Sequence, residues 1–80
     1  MIGLLWFDAS KKKDLATKIA EAAKRHQVKY GRRPNICYVN ETMLGQETDV
    51  DGIRVVPAHN VLKHHFFIGV ESERELREAA

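Results

Sequence analysis

The chain is poor in the residues that staple, break or hinge small proteins. Its one cysteine, Cys37, excludes an intramolecular disulfide, and no C-x-x-C spacing of a zinc or redox site occurs. A single thiol fits a reducing compartment. Two prolines, Pro34 and Pro57, and five glycines interrupt the 80 residues. None of those glycines builds a phosphate-cradling loop or a dinucleotide fingerprint. No apolar stretch approaches the roughly twenty residues that span a bilayer. The opening MIGLLWF lacks a basic flank and runs straight into Asp8 and a lysine run. Internal repeats and low-complexity tracts are missing too. These absences point to one cytoplasmic α/β domain over residues 1–72 with a polar tail at 73–80, no membrane association, and no metal or cofactor.

What is present is ordinary for a globular chain. The hydrophobic fraction is 44% and the charged fraction 30%, which argues against disorder. A chain this short buries only about 60–65% of the surface its unfolded form exposes. Small domains of that kind draw on disulfides, a metal or a partner chain, and the first is unavailable here. The net charge of +2 hides an asymmetry. Residues 1–34 carry nine basic side chains against three acids, and residues 35–80 carry four against eight. Such a dipolar chain favours an acidic partner on one side or a second copy docked the other way round.

Ile2–Phe7 is apolar apart from Gly3, too short for a helix and rich in β-formers, which predicts a strand covered on both faces and central in its sheet. Residues 11–30 turn helical, with Leu15, Ile19, Ala22, Ala23, His26 and Tyr30 at spacings of three and four. Asp8 and Ser10 are the expected N-caps, and Gly31 followed by Pro34 supplies the stop. Residues 35–40 read as a second strand parallel to the first, with Ile36, Tyr38 and Asn40 on one side and Cys37 and Val39 on the other. Asn40 caps one turn closed by Gly45, and 46–52 is an acidic loop ending in a turn signal. A third strand at 53–56 stops at Pro57. After a connector at 58–63, residues 64–70 form a fourth strand, and the tail has room for a short C-terminal helix. The predicted fold is therefore β-α-β-β-β: a small mixed sheet with one long helix on one face.

Four constellations carry residue types suited to chemistry. Lys11, Lys18, Arg25 and Lys29 project onto one flank of the predicted helix, with Arg32 and Arg33 after its cap, a pattern able to track a phosphate backbone. Asp14 and Glu21 precede Lys18 and Arg25 by four residues, however, so ion pairing accounts for much of the same flank. Cys37, His26, His59, His64 and His65 are zinc-competent residue types, but adjacent histidines on a strand point to opposite faces. Cys37 with a histidine base is the nucleophilic alternative, although a mid-strand cysteine behaves as a small hydrophobe. Asp8, Asp49 and Asp51 would suit a metal-dependent phosphoryl site if they converged.

Burial gives the leading expectation. One helix covers one face of a sheet, so the other face shows apolar side chains to solvent, which is unusual for a monomer. The expectation is a non-enzymatic domain that forms a homodimer or larger assembly and acts as a protein-interaction module, with Trp6, Phe66, Phe67 and Ile68 at the interface. Nucleic-acid binding through the basic helix flank is the alternative, followed by a small metal- or cysteine-dependent enzyme.

Overall fold

The computed structural model describes residues 2–71, with the side chain of Ile2 excepted. The polar tail and the short C-terminal helix expected there lie outside the described residues. The elements are β1 (Ile2–Phe7), α1 (Leu15–Tyr30), β2 (Ile36–Asn40), β3 (Thr48–Val50), β4 (Ile53–Ala58) and β5 (His65–Val70). The architecture is α+β: one helix against a five-stranded mixed sheet ordered β1-β5-β2-β4-β3.

The helix starts later than its apolar spacing suggests. The Asp8 carboxylate accepts the Ser10 amide at 2.9 Å and the Ser10 hydroxyl accepts that of Lys12 at 3.3 Å. These local turns compete with helical bonding. Three consecutive lysines would also crowd the positive end of the helix dipole. The helix therefore begins beyond them, with Asp14 as N-cap accepting the Thr17 amide at 2.8 Å. At the other end Gly31 adopts the left-handed conformation, φ 70°, and its amide closes on the Gln27 carbonyl at 2.8 Å.

β1 is an edge strand, which corrects the expectation of a central one. β5 pairs antiparallel with both β1 and β2, so β1 and β2 run parallel but with β5 between them. The apolar run that suggested two covered faces has only one: Leu4 and Trp6 pack on the core, whereas Leu5 and Phe7 are 63% and 59% exposed.

A fifth strand lies inside the segment read as an acidic loop. Asp51 and Gly52, with φ 56° and 82°, form the two-residue turn that joins β3 to β4, and Val50 pairs with Ile53. Positive φ at both turn positions matches the right-handed strand twist, and Asp-Gly is its favoured sequence. β4 then runs on through Pro57. The Arg54 amide and the Ala58 carbonyl both bond toward the β2 side, so Pro57 turns its nitrogen the other way. β3 begins at Thr48, opposite Val55, and does not reach that far, so no ladder bond is lost.

The core lies between helix and sheet. Ile19 and Ala22 of α1 meet Cys37, Val39, Ile53, Val55, Phe66 and Ile68, with Leu4, Trp6, Leu15, Met43, Leu44 and Val50 partly buried around them. At the far end of β2, the Asn35 side chain continues the ladder, donating to the Glu71 carbonyl at 2.7 Å and accepting the Glu71 amide at 2.9 Å. Among the described residues no helix is long and apolar enough to cross a membrane.

Candidate self-association surface

Strand alternation places the residues that do not face the helix on one open side of the sheet. Cross-strand register aligns four of them in a row: Leu5 opposite Phe67, Phe67 opposite Tyr38, and Tyr38 opposite Val56. Beside this row Phe7 faces His65, their ring centroids 4.9 Å apart. No described element lies over them. Of the four aromatic and aliphatic residues expected at an interface, Phe67 alone is on this side. Phe66 and Ile68 are fully buried beneath α1, and Trp6 packs half-buried against the same cluster. That correction follows from the two-residue period of β5, in which Phe66 and Ile68 share one face and His65 and Phe67 the other.

The connector after β4 shapes one end of the open side. The Asn40 side chain donates to the Val61 carbonyl at 2.7 Å, which holds the connector over the end of the sheet. Leu5, Val61, Leu62, His65 and Phe67 line a depression of about 290 Å³ there. Leu62 is 72% exposed. A second depression continues it past Tyr38, Pro57 and Ala58. At the opposite margin Tyr38 donates to the Glu71 carboxylate at 2.6 Å.

Exposed apolar side chains also gather on the helix side of β1. Val28 projects from α1 and shares a groove with Trp6, Glu21, Lys24 and Arg25. Tyr30 reaches across to donate its hydroxyl to the Gly3 carbonyl at 3.1 Å. The five large apolar residues that stand exposed among the described residues are Leu5, Phe7, Val28, Tyr30 and Leu62. Every one of them lies on β1 or beside it. Val28 falls outside the apolar stripe of the helix, which is a signal that sequence periodicity offers, and Val61-Leu62 is an apolar pair inside an otherwise polar connector. None of these five is among the residues that sequence reasoning set at the interface.

The basic residues are dispersed rather than aligned. Lys11 lies ahead of α1, not on its flank, and Lys18 is 6% exposed. A lysine can be buried this far because its methylenes cover apolar surface. Arg25, Lys29 and Arg32 are exposed, Lys29 sits 5.3 Å from the Tyr30 ring, and Arg33 donates to the Asp51 carbonyl. The expected pairs are replaced by others: Lys13 bridges Glu21 at 2.9 Å and Asp8 at 3.6 Å, and the Asp14 carboxylate serves the N-cap.

The groups considered for catalysis stay apart. Asp8 follows β1, whereas Asp49 and Asp51 belong to β3 and its turn at the opposite edge, four strand spacings or about 19 Å away across the sheet. The Ser10 amide and the Lys13 ammonium hold the Asp8 carboxyl below its ordinary value. Cys37 is fully buried on the helix side, and burial pushes its thiol up to about 12. His26 is buried at the end of α1, where its Nδ1 lies 2.9 Å from the Arg32 carbonyl. His59 is exposed in the connector, His64 is half-buried with φ 68°, and His65 faces the open side. Among the described residues no three His, Cys, Asp or Glu side chains come together to hold a metal ion. Compared with protein families, curated proteins and solved structures, the chain matches none.

Proposed function

We propose that this protein is a non-enzymatic protein-interaction module that works as a homodimer, formed through the apolar surface around β1. The observation that carries this reading is the gathering of Leu5, Phe7, Val28, Tyr30 and Leu62 about one strand, with no described element over them. An apolar patch of that kind on a small domain marks an association site. The occupant is a second copy because Leu5 and Phe7 stand on alternate residues of a single strand. A two-fold contact lets each meet the other, which makes the patch its own complement. The placement of Cys37 within the core and of Asp8 far from Asp49 and Asp51 supports a binding role over a chemical one.

Size-exclusion chromatography with light scattering at micromolar concentration tests the reading. The expected mass is twice the 9.1 kDa of the chain. A mass of one chain at every concentration, without binding of an apolar-surface dye, overturns it. Nucleic-acid binding is the weaker alternative, resting on exposed Arg25, Lys29 and Arg32. It would show as duplex affinity that falls steeply with salt and is lost on reversing Arg25 and Lys29 to glutamate.

A further inference from the structure

The backbone of β1 says how the second copy docks. The Asp8 amide donates to the His64 carbonyl at 3.0 Å, so Asp8 turns its polar backbone toward β5. Backbone N–H and C=O of one strand residue share a side, and the side alternates along the strand. Leu4 and Trp6 therefore bond to β5, and Gly3, Leu5 and Phe7 present theirs outward along the edge. These are the same residues whose side-chain positions face the open side of the sheet.

The two edges of the sheet differ in protection. β3 is three residues long, carries exposed Thr48 and Asp49, and has the Glu47–Arg54 ion pair, at 2.6 Å, beside it. Short, charged edges resist further pairing. β1 is twice as long and has no charge, no proline and no bulge in its ladder. Its exposed apolar neighbours lie on both sides of the sheet, Leu5, Phe7 and Leu62 on the open side and Val28 on the helix side. A face-to-face contact would cover the first set and leave Val28 in water. A contact along the edge covers both.

We infer that two copies pair along β1, strand to antiparallel strand, with Leu5 of each opposite Phe7 of the other, joining two five-stranded sheets into one continuous sheet. The inference rests on the self-association reading and specifies its geometry. The register follows from Tyr30: its hydroxyl already occupies the Gly3 carbonyl, so among the described residues the outward pairs left without a partner are those of Leu5 and Phe7. Centring the two-fold on Trp6 brings Leu5 and Phe7 together twice, with four reciprocal backbone hydrogen bonds and two aromatic–aliphatic side-chain pairs.

Amide hydrogen exchange by NMR in the unmodified protein tests this without any variant. On raising the concentration from dilute to fully associated, the amides of Leu5 and Phe7 become protected, while those of Leu4 and Trp6 are protected throughout. Leu5→Pro removes an outward donor that makes no bond within its own sheet, and because the two-fold repeats the loss, dimerisation weakens roughly a hundredfold. Val56→Lys, on the open face three strands from the edge, leaves the dimer in place. A dimer in which the Leu5 and Phe7 amides exchange freely, or which Val56→Lys dissolves, overturns edge pairing while self-association stands. Protection of Leu5 and Phe7 already complete in a monomer overturns it as well. No association at any concentration removes both readings.

Discussion

The Tyr30 hydroxyl and the Gly3 carbonyl meet at 3.1 Å across 27 residues of chain, tying the end of the helix to the outer edge of the first strand. The contact is solvent-exposed, so its net worth lies at the low end of the usual 0.5–1.5 kcal/mol or so for a protein hydrogen bond. Tyr30→Phe keeps the ring against His26, 4.8 Å away, and removes only the hydroxyl. Urea unfolding is expected to show a loss of about 0.5 kcal/mol with an unchanged m-value. A loss above about 2 kcal/mol would mean that the tie organises more of the fold than one exposed bond can.

The two phenylalanines of β5 are expected to behave in opposite ways. Phe66 is fully buried under the helix, so Phe66→Ala leaves a cavity and costs about 3–5 kcal/mol. That is a large share of the stability of an 80-residue domain. Phe67 is half-buried on the open side, and Phe67→Ala costs about 1 kcal/mol or less in intramolecular stability. Denaturant midpoints of the two variants, measured at equal low concentration, separate these cases. Equal losses would place both rings in one core.

Much of this was legible from the residues, and the misreadings have identifiable causes. The first strand, the long helix and its Gly31 stop are written in local pattern, because apolar period and cap chemistry act within a few residues. The place of β1 in the sheet is not. An apolar residue at an exposed edge carries the same letter as one in the core, so Leu5 and Phe7 made an edge strand look central. Phe66 and Phe67 are likewise indistinguishable until the register of β5 says which one points at the helix. β3 was missed for a different reason: the Asp51-Gly52 hairpin signal was present, but Thr48 and Asp49 are polar on an exposed edge and lack the alternation that marks a half-buried strand. The late start of α1 is legible in hindsight from three lysines that the helix dipole disfavours.

Cys37 gives a chemical test of the core. With a thiol pKa of about 12, only roughly one molecule in ten thousand carries a thiolate at pH 8. Burial blocks the reagent as well. A disulfide-exchange reagent is expected to label the native protein only at the rate of global unfolding, and to label it fully in denaturant. Stoichiometric labelling of native protein within minutes would show that the sheet opens beside β2.

Acid should weaken the fold through two carboxylates. Hydrogen bonding to Thr17 holds Asp14 below its ordinary 3.8, and the Ser10 amide, followed by Lys13, does the same for Asp8. A folded-state pKa below the unfolded one contributes stability that is complete above the unfolded value. That stability is lost as pH falls through the folded one. Stability is therefore expected to be flat above about pH 5 from these two groups and to decline below about pH 4. Asp14→Asn retains a capping oxygen without a titrating proton, so its stability falls less over that range. Identical acid profiles for the variant and the parent would remove Asp14 from this account.

The central claim is that the apolar side chains of β1 hold two copies together. Sedimentation equilibrium on the parent and on the Leu5→Lys, Phe7→Lys double variant tests it most directly. Both positions are exposed in the single chain, so the variant should keep the circular dichroism of the parent. The prediction is a parent of twice the chain mass and a folded variant of one chain mass at the same concentration. The same mass for both proteins, whether monomer or dimer, would contradict it.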